Sequence, residues 1–260
     1  MKQGAFVMIV VLVTLVIGFG MYNFIFGNAA NFSVGDVHRV KPINIYGTIF
    51  TGGPLVAILI GLSLMVITFI VERTLMLKKA RGKGELTSFL RKVQQSLTSG
   101  NINDALEACN AQRGSCANII RAGLERYQHA IGEKLSVEKV SSETQRAIEE
   151  ATMLEVPLLE QNLVMLSTIA SIATMVGLLG TTIGMIRSFQ AMGAAGGAPD
   201  AVGLAIGISE ALINTAGGLL AAIVGIVAYN YFTTKVDNFT YMIDEASYTV
   251  IEILSGRIQR

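Results

Sequence analysis

Two apolar stretches decide the fold of this 260-residue chain: LVMLSTIASIATMVGLLGTTIGMI, residues 163–186, and VGLAIGISEALINTAGGLLAAIVGIVAYNYF, residues 202–232. Each is long and apolar enough to cross a bilayer core of about 30 Å as a helix. Residues 192–200, rich in glycine and alanine, join them and are too few to form a domain. The sequence therefore predicts a transmembrane helical hairpin over residues 163–232.

The second arm of this hairpin carries one acid, Glu210, and no other charged residue lies between positions 201 and 234. An ionisable side chain at membrane depth costs about 3 kcal/mol or more and by default marks a functional site. Burial favours the uncharged carboxyl, and the nearest basic residue, Arg187, falls at the outer rim of the first arm. We therefore expect no cation beside Glu210, which would then be protonated at rest.

The faces of the second arm predict its surroundings. Bulky residues recur every seven positions, at Ile206, Ile213, Leu220 and Val227, and we expect this stripe to face lipid. The other faces carry small or polar residues, which let membrane helices approach closely: Gly203, Gly207, Glu210, Asn214, Gly217 and Ala221 on one, Ala211, Thr215, Gly218 and Ala222 on another. A helix with small residues on most of its faces needs other helices packed around it. We therefore expect a homo-oligomer around a central axis.

The first arm carries a stripe of hydroxyls at Ser167, Ser171, Thr174 and Thr181. These side chains either bond back to their own helix or line a wet path opposite the acid, and the residues leave both interpretations open. Gly180 and Gly184 beside the stripe have the spacing of close helix packing.

The remaining chain completes the predicted organisation. Residues 1–52 hold an apolar run at 5–26, either a fourth span or a signal peptide, followed by a short periplasmic stretch. Residues 53–76 form a further span that ends in Glu72-Arg73, either an interfacial salt bridge or a solvated helix end. Residues 77–162 are a cytoplasmic helical region that begins with a basic run, which fixes this side as cytoplasmic. Helical periodicity in this region predicts two amphipathic faces, with apolar residues Leu86, Phe89, Leu90, Val93 and Leu97 on one and Ile119, Ile120, Leu124 and Tyr127 on the other. The hairpin follows at 163–232, and a C-terminal cytoplasmic helix at 233–260.

Composition narrows the function classes. Hydrophobic residues make up 52% of the chain and charged residues 15%, with a formal net charge of +1, which is typical of a helical membrane protein rather than a nucleic-acid binder. Cys109 and Cys116 have no CxxC spacing and no neighbouring ligand cluster, so we expect neither a metal site nor a disulfide. The sequence contains no nucleophile motif and no phosphate loop, and we expect no enzyme activity and no cofactor. The expected fold class is all-α, a polytopic transmembrane protein whose long helices extend into a cytoplasmic helical domain.

Three motifs carry a resemblance to a known family. They are LxxIAxxA at residues 166–173, GLLGT at 177–181 and GISEALxxTAxGLxAAI at 207–223. In order and spacing they resemble the ExbB/TolQ branch of the MotA/TolQ/ExbB proton-channel family, over almost the whole hairpin. Glu72-Arg73 is also similar to a pair in that family. One departure is that the family usually has proline after Ala-Ala-Ile, where this chain has Val224-Gly225.

The resemblance implies a mechanism that the residues alone do not. It implies a pentamer in the bacterial inner membrane, around an ExbD/TolR-like single-span partner whose aspartate carries the proton, with motion passed to a TonB-like protein or a Tol-type system. Glu210, Thr181 and Thr215 would then belong to the ion pathway, and Ser167, Ser171, Thr174, Gly207 and Asn214 would line the pore or an interface. Alternatives stay open: an oligomeric scaffold without ion flux, a flagellar or gliding stator of the same family, and sodium in place of the proton. An intramembrane enzyme is disfavoured because no second catalytic group accompanies Glu210.

Overall fold

The computed structural model describes residues 2–33, 41–194 and 201–258, and no strand occurs among them. The described residues form these α-helices in chain order: α1 Lys2–Met21, α2 Ile45–Phe50, α3 Leu55–Arg81, α4 Leu86–Ser99, α5 Ile102–Gln112, α6 Ser115–Gly132, α7 Val137–Glu160, α8 Leu163–Ala194 and α9 Ala201–Ile258. The predicted all-α class is confirmed. Part of the predicted periplasmic stretch, with Asp36, His38 and Arg39, and most of the predicted hairpin turn lie outside the described residues.

Four helical stretches of the described chain are long and apolar enough to cross a membrane. They lie within Gly4–Phe26, Leu55–Ser99, Val137–Gly193 and Ala201–Arg257, which agrees with the predicted polytopic architecture. The chain divides into two compact units: Met1–Val71 with Val164–Asn230, and Glu72–Leu163 with Tyr231–Arg260. The first unit contains the apolar segments and the second contains most of the charged residues. We call them the membrane unit and the charged unit.

In the membrane unit, α1 lies directly against α3. A Cβ on Gly18 would approach the carbonyl oxygen of Ala57 to 2.6 Å and the nitrogen of Gly61 to 2.8 Å. Since a side chain at position 18 would collide with backbone, glycine there permits the contact. Close packing at small residues is how membrane helices associate, and it favours the interpretation of residues 5–26 as a span.

Glycines also bring the two arms of the hairpin, α8 and the first part of α9, into backbone contact. A Cβ on Gly184 would lie 2.6 Å from the carbonyl oxygen of Gly207, and a Cβ on Gly218 would lie 2.6 Å from that of Ala173. Gly225 is buried against Ala170, with 3.0 Å between that residue's Cβ and a Cβ built on the glycine. Helix α9 is continuous through position 224, where the family usually has proline. The next residue, Gly225, allows α9 to pack closely on α8.

The expectation that one bulky stripe of the second arm faces lipid is wrong for one of its members. Leu220 and Val227 are exposed on the chain. Ile213 instead packs on a small core formed by Tyr22, Val56 and Ala57, because α1 and α3 occupy that side of α9.

The charged unit is a helical bundle with its own apolar core. The predicted amphipathic faces are buried: Leu86, Phe89, Val93 and Leu97 on α4, and Ile119, Ile120, Leu124 and Tyr127 on α6. Helix α4 ends at Gly100, which has φ +93°. From the last part of α9, Phe239, Ile243, Val250 and Leu254 are also buried.

Candidate ion-pathway site around Glu210

Glu210 is buried in the membrane unit and forms an ion pair. Its side chain is 7% exposed, and its Oε1 lies 2.5 Å from Nη1 of Arg187, whose side chain is 52% exposed. The expectation that no cation lies beside Glu210 is therefore wrong. Antiparallel packing of α8 on α9 places the two residues side by side, and the long arginine side chain reaches inward from the rim.

A tight turn before α3 closes the site from a third direction. Gly53 has φ +78°, and a Cβ on it would lie 2.5 Å from Oε1 of Glu210. Position 53 thus requires glycine for two reasons. Its left-handed backbone is one that other residues rarely adopt, and the carboxylate approaches too closely to leave room for a side chain.

Asn214, one helical turn after Glu210, fastens this turn to α9. Its side chain is fully buried, and its Nδ2 donates to the carbonyl oxygen of Gly52 at 2.7 Å and to that of Glu210 at 2.9 Å. Its Oδ1 is also buried and has no hydrogen-bond partner among the described residues. A buried acceptor without a donor is costly.

The two threonines predicted for the ion pathway behave differently in the single chain. Thr181 donates to the carbonyl oxygen of Leu178 on its own helix at 2.6 Å. The hydroxyl of Thr215 is buried and makes no hydrogen bond within the described residues. Thr215 lies against α8, where its Cα is 3.5 Å from the position of a Cβ on Gly177. No hydrogen bond of the described chain joins either threonine to Glu210.

The hydroxyl stripe of α8 follows the first of its two interpretations in the isolated chain. Ser167, Ser171 and Thr174 each donate to a carbonyl oxygen three or four residues earlier, at 3.0, 3.0 and 3.1 Å. Ser171 is exposed and the other two are half-buried. The stripe therefore lies at the surface of the membrane unit, and a closed wet path along it requires another chain.

Some site residues were missed by sequence reasoning. Gly52 and Gly53 reach Glu210 only through the fold, although the Gly-Gly-Pro run at 52–54 is a turn signal that could have drawn attention. Ser188 is buried between the arms, where its hydroxyl donates to the carbonyl oxygens of Gly184 and Leu204. The sequence around Ser188 contains no motif that would predict this hydrogen bond between the two arms.

In the charged unit, the Glu72-Arg73 pair is a buried salt bridge, the first of its two predicted alternatives. Nε and Nη2 of Arg73 lie 2.6 and 2.5 Å from the two carboxylate oxygens of Glu72, and the arginine side chain is 1% exposed. Nη1 also donates to the carbonyl oxygen of Leu159 near the end of α7, at 3.3 Å. This two-point pairing is the geometry in which arginine binds a carboxylate most strongly.

Comparisons with known proteins place the whole site in context. The profile of the MotA/TolQ/ExbB proton channel family matches residues 111–245, which include Glu210. The chain is 31% identical over 184 residues to the protein named ExbB-like 3 of Synechocystis sp., which is 70% of this chain and 81% of that relative. It is 39% identical over 100 residues to the Tol-Pal system protein TolQ of Haemophilus influenzae, 38% of this chain and 43% of TolQ. It is 40% identical over 90 residues to the biopolymer transport protein ExbB of Pseudomonas putida, 35% of this chain and 27% of that ExbB.

The fold and the site together define a helical membrane protein with a buried acid, Glu210, in a glycine-packed hairpin. The chain belongs to the MotA/TolQ/ExbB proton channel family, whose members are transport and channel proteins.

Proposed function

We propose that this protein is the ring-forming subunit of a proton-driven motor in the bacterial inner membrane. Five copies would surround a single-span partner of the ExbD/TolR type and couple proton flow to TonB- or Tol-type envelope transport. The buried carboxylate of Glu210, held in a close-packed hairpin of this family, is the observation that carries the proposal. Moving one charge across 100 mV releases about 2.3 kcal/mol, enough to drive a conformational step.

The surface of the membrane unit supports a ring. Leu212, Leu220 and Val227 are more than half exposed and suit lipid or a neighbouring copy. The hydroxyl stripe of α8 suits water or a partner helix. A ring of copies would enclose the polar surface and leave the apolar surface outside.

A scaffold without ion flux is the second candidate, favoured by the ion pair itself. Arg187 and Glu210 join α8 to α9, and such a link can serve structure alone. In that case Glu210 would matter for assembly and not for flux.

Proton uptake into liposomes that contain the protein and its single-span partner separates the two candidates. In the motor, Glu210→Gln should assemble normally and reduce flux at least tenfold, because the amide cannot titrate. Glu245→Gln, at an exposed acid further along α9, is the control and should leave flux unchanged. Normal flux in Glu210→Gln would establish that the acid does not exchange protons, whereas absence of uptake by the unaltered protein with its partner would favour the scaffold.

The predicted path residue Thr181 has a control in the next residue. Thr181→Val removes a hydroxyl from the proposed path with little change in volume and should lower flux several-fold with assembly intact. Thr182 is exposed and bonds back to its own helix at 2.8 Å, so Thr182→Val should be neutral. Equal flux in the two variants would remove Thr181 from the pathway.

A further inference from the structure

A cavity in the charged unit is not used by the proposed motor. It encloses about 670 Å³, and its walls come from the end of α3, the α5–α6 connection and the end of α7. All of its lining residues belong to the charged unit. It is large enough for a lipid headgroup, since small-molecule sites range from about 300 to 1,000 Å³.

The cavity wall carries an excess of positive charge. Lys79, Arg113 and Arg121 line it together with one carboxylate, Glu155. Glu155 is already engaged, because its Oε1 accepts a hydrogen bond from Nδ2 of Asn118 at 2.9 Å. Within the described residues, neither Lys79 nor Arg113 forms an ion pair. Two of the three cations are therefore free to bind an anion.

The backbone of the α5–α6 connection, which carries Arg113, is held in place by a specific packing arrangement. Nε2 of the buried Gln112 donates to the carbonyl oxygen of Arg81 at 3.1 Å, and the backbone N–H of Lys83 donates to the carbonyl oxygen of Gln112 at 2.6 Å. A Cβ on Gly114, which has φ +148°, would lie 2.5 Å from the carbonyl oxygen of Ala80. These contacts fix the connection that carries Arg113 against the end of α3 that carries Lys79. An ordered backbone beneath both residues reduces the entropy cost of ligand capture.

The wall also includes apolar residues, and it lies where the chain is predicted to leave the membrane. Met76 and Leu77 line the cavity, and position 76 is the predicted inner end of the second span. Leu158, which also lines the cavity, is 47% exposed, and Leu154 one turn earlier is 74% exposed. A site that combines cations with apolar side chains matches an amphiphile with an anionic head.

We propose that this cavity binds the phosphate group of an anionic membrane phospholipid, with Lys79 and Arg113 as its principal ligands. Basic pockets at the cytoplasmic ends of membrane helices bind such headgroups. Arg121 adds a third positive charge at the wall. It forms an exposed ion pair with Glu125 on the same helix, at 3.6 Å.

The test is lipid binding to the full-length protein in a non-ionic detergent, measured by native mass spectrometry during titration with phosphatidylglycerol. The double variant Lys79→Gln/Arg113→Gln should bind at least tenfold more weakly than the unaltered protein. Arg91→Gln/Lys139→Gln removes one arginine and one lysine that are exposed in the same unit and do not line the cavity, and it should bind normally. Equal weakening in both double variants would indicate general electrostatic attraction and would overturn the proposal.

Two further measurements fix the source of the phosphate and guard against misfolding. Glycerol 3-phosphate, which has the charge without the acyl chains, should fail to compete; competition at equal concentration would assign the cavity to a soluble anion instead. Phosphatidylglycerol should raise the melting temperature of the unaltered protein, since ligands stabilise the state that they bind. It should raise that of the Lys79→Gln/Arg113→Gln variant by less than half as much, and an equal rise would contradict the assignment of these two residues.

Discussion

Glu210 is held by neighbours that come from three separate parts of the sequence. Arg187 approaches from α8, the Gly52-Gly53 turn from the start of α3, and Asn214 from the next turn of α9. Burying a carboxylate is tolerated only when it is paired and hydrogen-bonded, and this arrangement supplies the pair. The acid is thus fixed in position in the isolated chain, before any partner binds.

Gly53→Ala tests how closely the turn and the acid fit. The new Cβ would enter the space of Oε1, and the backbone at φ +78° would be strained, so we expect a loss of about 1–3 kcal/mol in unfolding free energy. Thermal unfolding in detergent measures the effect. Gly20→Ala is the control, because a Cβ there meets no atom within 4 Å. Equal melting temperatures for the two variants would show that the turn does not pack on Glu210.

The cysteines of the charged unit should be unreactive in the folded protein. Burial raises the pKa of the Cys109 and Cys116 thiols to about 12, and both are free. The raised pKa keeps the protonated thiol dominant until the pH approaches 12, so at pH 8 only about one thiol in ten thousand is the reactive thiolate. Labelling with N-ethylmaleimide at pH 8, followed by mass spectrometry, should be slow in the native protein and fast after denaturation.

An exposed thiol provides the reference rate for that labelling. Ser142 is exposed on α7, and Ser142→Cys should react within minutes. Native labelling of Cys109 or Cys116 at the rate of that reference would mean that the charged unit opens readily or that the thiols are accessible.

At the scale of helices, glycines decide how the two arms of the hairpin meet. Gly184 and Gly218 place backbone against backbone, with no room for a methyl group. Lipid tails solvate an apolar helix surface about as favourably as a neighbouring helix does. Membrane helices therefore associate mainly through close packing and polar contacts. Ser188, which donates to α9 from α8, adds such a link.

Gly218→Ala should therefore weaken the hairpin although alanine is the better helix former. Its methyl group would lie 2.6 Å from the carbonyl oxygen of Ala173 and 2.9 Å from the Cα of Gly177. We expect a loss of about 1–3 kcal/mol, seen as a lower melting temperature in detergent. Gly193→Ala, in the same α8 where nothing lies within 4 Å, should be neutral or stabilising. An unchanged melting temperature for Gly218→Ala would contradict backbone contact between the two arms at this position.

At the scale of the whole molecule, the exposed surface of the membrane unit predicts an assembly. Exposed leucines and valines of α9 would face lipid or a copy, while the exposed hydroxyls of α8 favour a polar neighbour. Mass measurement of the detergent-solubilised complex should give more than two copies. Thr181→Val should retain that mass. A monomer that still transports protons would contradict the proposed ring.

The sequence by itself determined the elements of this protein. The lengths of the apolar segments predict the spans, because a helix needs about 20 consecutive apolar residues to cross a bilayer. Helical periodicity predicts the buried faces of α4 and α6, and the single acid at position 210 identifies the site. These features depend on residues that are neighbours along the chain, so they can be found without a fold.

Only the tertiary structure decided what surrounds the acid. The pairing of Glu210 with Arg187, the need for glycine at position 53 and the inward packing of Ile213 all depend on contacts between residues far apart in sequence. Arg187 lies at the rim when it is counted along its own helix, but the register of two antiparallel helices and the reach of a long side chain bring it to Glu210. That register depends on which small residues meet across the interface, and the order of residues along one helix does not specify it.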